Sequence, residues 1–151
     1  MKLRIMLSLL SLLAIGSQSP KALATVCSDS TIRGTYAFTI HGTIFLPDGS
    51  TLLLDGIDRV AFDGKGTFTQ MDAVATNGRL AAPHWRPGSG TYSVNWDCTG
   101  TQTIVVPGMP DLHLQFIVDQ SGNTIRQVVV DPGFATTAEG ERISDCPKNK
   151  D

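Results

Sequence analysis

The feature that most constrains this chain is a period-two alternation of apolar and polar residues, which begins at Arg33 and is punctuated every few residues by turn formers. Tyr36, Phe38, Ile40, Ile44 and Leu46 alternate with Thr35, Ala37, Thr39, His41 and Thr43. Laid out as a strand, they give one apolar and one polar face. Gly42 interrupts the apolar row, and a glycine inside a strand predicts a bulge or sharp bend. The same alternation runs through residues 51–62, 67–76, 90–94, 101–106, 112–119 and 124–130. Between these runs lie Pro47-Asp48-Gly49, Asp63-Gly64-Lys65-Gly66, Asn77-Gly78, Arg86-Pro87-Gly88, Pro107-Gly108-Met109-Pro110, Ser121-Gly122-Asn123 and Asp131-Pro132-Gly133, which read as turns. No ten-residue stretch beyond the leader has helical periodicity free of Gly and Pro. Short strands at short intervals predict an all-β domain: a single small antiparallel β-barrel of about eight strands, with a β-sandwich as the alternative. Closure favours the barrel, because it removes the edge strands that promote aggregation. The barrel domain is expected over residues 25–138, with a polar C-terminal tail over 139–151.

The first 24 residues have a different character. Met1-Lys2-Leu3-Arg4 is a basic start, residues 5–15 are apolar apart from Ser8 and Ser11, and Ala22-Leu23-Ala24 has the form of a cleavage site. That is the three-part pattern of a secretory signal peptide. Its apolar run of about 11 residues is short of the roughly 20 that span a bilayer. The expectation is a secreted or periplasmic protein with no membrane association once the leader is removed. The rival is a lipid anchor on Cys27, against which Val26 stands where a small residue is wanted. The leader holds three basic residues and no acidic ones, so it conceals the charge of the rest: the full chain is −2, and without residues 1–24 it is −5. An acidic surface lacks the electrostatic footprint of a nucleic-acid binder.

Cys27, Cys98 and Cys146 all lie beyond the leader. An oxidising compartment pairs two of them and leaves one odd thiol. Cys27 to Cys98 is the favoured bridge, since it pins the N-terminus to a loop; pairing with Cys146 would instead pin the tail. No Cys-x-x-Cys or His-x-His spacing occurs, so neither a metal site nor thioredoxin-like chemistry is expected. No cofactor motif is present either. Ser89 lies in Gly88-Ser89-Gly90, but without the strand-to-helix setting of a nucleophile elbow. Asp63-Gly64-Lys65-Gly66 lacks the spaced oxygen ligands of a calcium loop.

Three segments carry a resemblance: Gly34-Thr35-Tyr36-Ala37-Phe38, Phe62-Asp63-Gly64-Lys65-Gly66-Thr67-Phe68, and the run from Gly90-Thr91-Tyr92 through Asn95-Trp96-Asp97-Cys98-Thr99-Gly100-Thr101. In this order, behind a signal peptide, they resemble a group of small exported bacterial all-β proteins that are largely uncharacterised. Trp96 departs from the group's pattern, in which a turn residue such as proline is expected. By strand order and size the group is in turn similar to lipocalin and allene-oxide-cyclase-like barrels. That likeness implies binding or cyclisation of apolar molecules inside the barrel and transfers no catalytic residue.

If Tyr36, Phe62, Phe68 and Tyr92 point inward, period two also places Asp58, Gln70 and Asp72 on an otherwise apolar inner face. Two hairpin registers keep Phe62 and Phe68 together. One sets Asp58 opposite Asp72, an acid and base pair with one raised pKa. The other sets Asp58 opposite Gln70. A third possibility is a bulge between Asp55 and Arg59 that turns Asp58 outward to Arg59 or Arg126. The candidate ligand-binding set is therefore Tyr36, Asp58, Gln70, Asp72 and Tyr92. Trp85 and Trp96 join it as loop aromatics that either gate a pocket or cap the core. His41, His84 and His113 read as surface residues. The function expected is binding of a small apolar or amphipathic molecule. A cofactor-independent cyclase or isomerase using Asp58, Asp72, Tyr36 or Tyr92 is the alternative, and a structural module with a filled core is the second alternative.

Overall fold

Each alternating segment forms a strand whose apolar face turns toward a common axis. The computed structural model describes residues 26–144; the leader, Cys146 and the end of the tail lie outside the described residues. A short 3-10 turn, Asp29–Ile32, precedes β1 (Gly34–Phe45), β2 (Thr51–Phe62), β3 (Thr67–Thr76), β4 (Arg79–Leu80), β5 (Arg86–Val94), β6 (Thr99–Val105), β7 (Leu112–Val118), β8 (Thr124–Val129) and β9 (Phe134–Ser144). All pairings are antiparallel, and the ring β1-β2-β3-β5-β6-β7-β8-β9 closes by β9 pairing with β1. This is a closed eight-strand barrel, with β4 an extra two-residue strand hairpinned to β3. One closed sheet excludes the sandwich.

Three expectations change. β9 carries the barrel to Ser144, beyond the boundary expected at 138. After Phe134 its inward residues Thr136, Ala138 and Gly140 are small, so the alternation of large apolar residues that marks the other strands is missing. Arg86-Pro87-Gly88 is the start of β5 and not a turn, paired with Asp72, Met71 and Gln70 of β3. Pro87 fits there because β5 pairs with β6 only from Ser89 onward, so no ladder donor is needed at that edge. At Gly42 the ladders to β2 and β9 run on without a bulge. The glycine serves close approach instead: a Cβ there would lie 2.5 Å from the Ala135 carbonyl oxygen and 2.6 Å from Thr136 Oγ1.

The lower half of the barrel is solid. Tyr36, Phe62, Phe68 and Tyr92 are buried, with Tyr36 edge-on to Phe62 at 5.5 Å and Tyr92 edge-on to Phe62 at 5.0 Å. The 3-10 turn plugs this end through Ile32, which is fully buried. Asp29 accepts a hydrogen bond from the Val94 amide at 2.7 Å, and the Arg142 guanidinium donates to the carbonyls of Thr31 and Gly122 while lying over the Tyr36 ring. Cys27 and Cys98 form a disulfide between the plug and the β5–β6 turn.

Wide rings in a narrow barrel need small neighbours. Phe38, Phe68 and Phe116 each lie opposite a glycine, namely Gly140, Gly90 and Gly100. A methyl on Gly100 would be driven into the Phe116 ring and to 2.5 Å from the Ser93 carbonyl oxygen. Gly100→Ala is therefore expected to destabilise the fold by about 1–3 kcal/mol, as overpacking does. A urea melt checks this, and a midpoint equal to the parent's would contradict the packing described.

Candidate functional site

The upper half of the barrel is hollow. A cavity of about 470 Å³ opens between the β1–β2, β3–β5, β6–β7 and β8–β9 connections. Its walls are mostly apolar, with Ile40, Leu54, Val74, Ile104, Leu114 and Phe134 as the larger contributors. The charged strand residues in this lining, Asp58, Asp72 and Arg86, lie on β2, β3 and β5.

Their placement follows from the β2–β3 hairpin. Gly64 and Gly66 both have positive φ, and the Asp63 carboxylate accepts hydrogen bonds from the amides of Lys65 and Thr67. That turn sets Phe62 opposite Phe68, and the ladder then runs without a bulge to Leu54. Asp58 consequently faces Asp72, and Val60 faces Gln70. Asp58 is neither turned outward nor paired with Arg126, which binds Glu139 at 2.8 Å on the exterior. Directly opposed strand residues have Cβ atoms roughly 5 Å apart, so two carboxyls share one small region of the wall. Asp58 is 7% exposed, Asp72 4% and Gln70 5%.

The third member is Arg86, which was not among the residues singled out from the sequence. It stands opposite Asp72 on β5 and donates from Nε to Asp72 Oδ1 at 2.7 Å, while Nη1 reaches Met109 Sδ at 3.3 Å. The row Asp58, Asp72, Arg86 thus crosses three adjacent strands. Arg86 pairs with Asp72 and leaves Asp58 over: its Oδ1 is buried with no hydrogen-bond partner among the described residues. Burial, and next the charge of Asp72, push the Asp58 carboxyl up to about 7, although nearby backbone amides and Arg86 pull the other way. Beside it Gln70 lies over Gly88, with Oε1 likewise unpartnered among the described residues. Across the cavity the same holds of Gln127 Oε1 and Thr136 Oγ1.

Of the candidate residues, Asp58, Gln70 and Asp72 line the cavity and the other four do not. Tyr36 donates its hydroxyl proton to the Gly122 carbonyl, and Tyr92 to that of Asp29, both at the plugged end. Burial is the main cause that lifts each phenol to about 12, so neither titrates near neutrality. Period two gave their face correctly but not their height along the barrel. Trp96 is 75% exposed in the turn beside the plug, the end opposite the opening, where its carbonyl receives the Cys27 amide. Trp85 is 49% exposed and precedes Arg86 without lining the cavity. Both are loop residues, so no strand alternation fixed which way they point.

The histidines sit outside. His41 meets Asp55 at 2.8 Å, His113 meets Asp131 at 2.9 Å, and His84 is exposed. Among the described residues no three His, Cys, Asp or Glu side chains converge as a metal site. A broader hollow on the outer wall near Thr39, Gln115 and Glu139 is lined by solvent-exposed side chains of ordinary strand exterior. The largely apolar cavity inside the barrel, with its grouped polar residues, is the candidate site. Comparison of the chain with protein-family models, with curated proteins and with solved structures returns no match.

Proposed function

We propose that this chain is an exported β-barrel that holds a small, largely apolar molecule in the upper half of the barrel. The observation that carries the reading is the cavity itself. A closed eight-strand barrel has an interior that side chains are able to fill, and below Val60 they do; above it about 470 Å³ is left open. That volume is within the roughly 300–1,000 Å³ of small-molecule sites, and apolar walls with a few grouped polar atoms are the usual make-up of such sites. The resemblance to lipocalin and allene-oxide-cyclase-like barrels points the same way. Export through the N-terminal leader is part of the proposal; the Cys27–Cys98 bond is compatible with an oxidising, exported location.

The test is a neutral apolar fluorophore, N-phenyl-1-naphthylamine, titrated into the folded protein and into a Leu54→Trp variant whose larger side chain occupies the cavity. Saturable enhancement with the parent and its loss in the variant are expected. Equal enhancement in both, or none with the parent, rejects the cavity as the site.

A second reading is proton transfer to a molecule held there, as in an isomerase or cyclase without cofactor. It rests on the buried Asp58 facing Asp72 in the cavity wall, an arrangement that lifts the Asp58 carboxyl toward the range of a general base at neutral pH. Turnover lost in Asp58→Asn, with fluorophore binding intact, is the result it requires.

A further inference from the structure

The polar side-chain atoms left over in the cavity are all oxygens able to accept a hydrogen bond. Asp58 Oδ1, Gln70 Oε1 and Gln127 Oε1 are acceptors, and the Thr136 hydroxyl oxygen accepts as well; none has a partner among the described residues. Buried acceptors without donors are strongly unfavourable, so a molecule complementary to this wall brings N–H or O–H groups. Charge narrows the choice. The ionisable residues lining the cavity are Asp58, Asp72, Asp111, Asp131 and one base, Arg86. Arg86 is committed to Asp72, and Asp131 to the amide and imidazole of His113. Asp111 stands exposed in the β6–β7 connection at the opening. Facing Asp58 itself are Asp72 from β3 and, beyond it, Arg86 from β5; β1 presents the uncharged Phe38. With Asp58 ionised, the row Asp58, Asp72, Arg86 carries one negative charge more than positive. One further cation beside Asp58 balances it.

We infer that the cavity's ligand is an amphipathic cation, an apolar body with a single primary or secondary ammonium head, seated with its N–H groups on Asp58 and Gln70. This rests on the ligand-binding reading above and specifies its chemistry. An acidic opening draws such a molecule in. The charged head also replaces the proton that Asp58 otherwise retains, so binding and deprotonation of Asp58 are linked. An anionic head fits poorly: the one guanidinium is taken, and the remaining carboxyl repels it.

The experiment compares octylamine, octanol and octanoate, equal in chain length and differing only in the head, by calorimetry at pH 5, 6, 7 and 8. Octylamine is expected to bind at least tenfold more tightly than either of the others at pH 8. Below the titration of Asp58 its affinity should fall by up to tenfold per pH unit while that of octanol stays flat, one proton being displaced per ammonium bound. In Asp58→Asn the amine's advantage over the alcohol and its pH dependence should both vanish, with octanol affinity retained. Octanoate matching or exceeding octylamine, or an amine preference unchanged in Asp58→Asn, overturns the inference while leaving the cavity as a binding site. If none of the three binds, the ligand-binding reading falls and takes this one with it. The pH profile of the parent protein decides the matter even without the variant.

Discussion

Reducing the Cys27–Cys98 bond, or replacing both residues by serine, is expected to lower the stability of the fold by about 4 kcal/mol. The bond joins residues 71 apart in sequence. In the chain-entropy view a cross-link over a loop of about that length restricts the unfolded ensemble by roughly 4 kcal/mol, between the values for short and hundred-residue loops. Cys27 is also the first residue of the plug. Its amide donates to the Trp96 carbonyl at 3.2 Å, and its side chain is buried against the same end of the core as Ile32. Without the bond, the plug is held by Asp29 on the Val94 amide and by Arg142 on the carbonyls of Thr31 and Arg33. These are a few polar contacts of a short 3-10 segment that pairs with no strand. Urea melts with and without reductant measure the difference on one protein, and the serine pair repeats it without thiols. A loss below about 1 kcal/mol in both would show that the plug docks on its own contacts and that the bond is incidental to stability.

That bridge was legible because only three cysteines exist and one of them adjoins the expected start of the domain. The barrel was legible for a similar reason: large residues recur every second position, and each run is short and ends at Gly, Pro, Asn or Asp. Where the inward residues are small the signal fails. Gly140 is invisible as a core residue until Phe38 is seen resting on it, and the expected barrel boundary consequently falls at 138, midway along β9. The site divides along the same line. Alternation put Asp58, Gln70 and Asp72 on the inner face, but two registers kept Phe62 and Phe68 on that same face. The choice between them lay in the turn, where glycines at 64 and 66 and the bonding of Asp63 centre the loop on Lys65, with the Asp63 amide donating to the Thr67 carbonyl. Arg86 was hidden by its neighbours: Pro87 and Gly88 mark a turn in most settings, and here they begin a strand whose first residue reaches across to Asp72. Height along the barrel is not encoded in period two at all. Hence Tyr36 and Tyr92, which share the inner face with Asp58, belong to the plugged end.

Asp58→Asn is expected to stabilise the protein at pH 8 by roughly 4 kcal/mol and to change little at pH 4. The unfolded chain releases this proton near its ordinary value of 3.8, whereas the fold retains it up to about 7. Between those values the folded state binds more protons than the unfolded one, so stability falls as pH rises through the window. The whole interval is about three pKa units at roughly 1.4 kcal/mol each, lost in full above pH 7 and absent below 3.8. The turn carboxylates act in the opposite sense. The hydroxyl and amide of Ser50 hold Asp48 below its ordinary value, those of Thr99 hold Asp97, and the amide and imidazole of His113 hold Asp131. Their contribution is present at neutral pH and disappears in acid, as each is protonated. The parent protein should therefore be most stable in weak acid, near pH 5, and decline on both sides, while the Asn variant loses only the alkaline decline. Guanidinium melts of both proteins from pH 3 to 9 separate the two effects, because subtracting one curve from the other removes everything except Asp58. A flat difference curve would mean that Asp58 is solvated and ionised in the fold, and the acid row across β2, β3 and β5 would then have no unmet charge for a ligand to balance. A difference that opens between pH 4 and 7 and then levels off is what a buried carboxyl facing a second carboxylate requires.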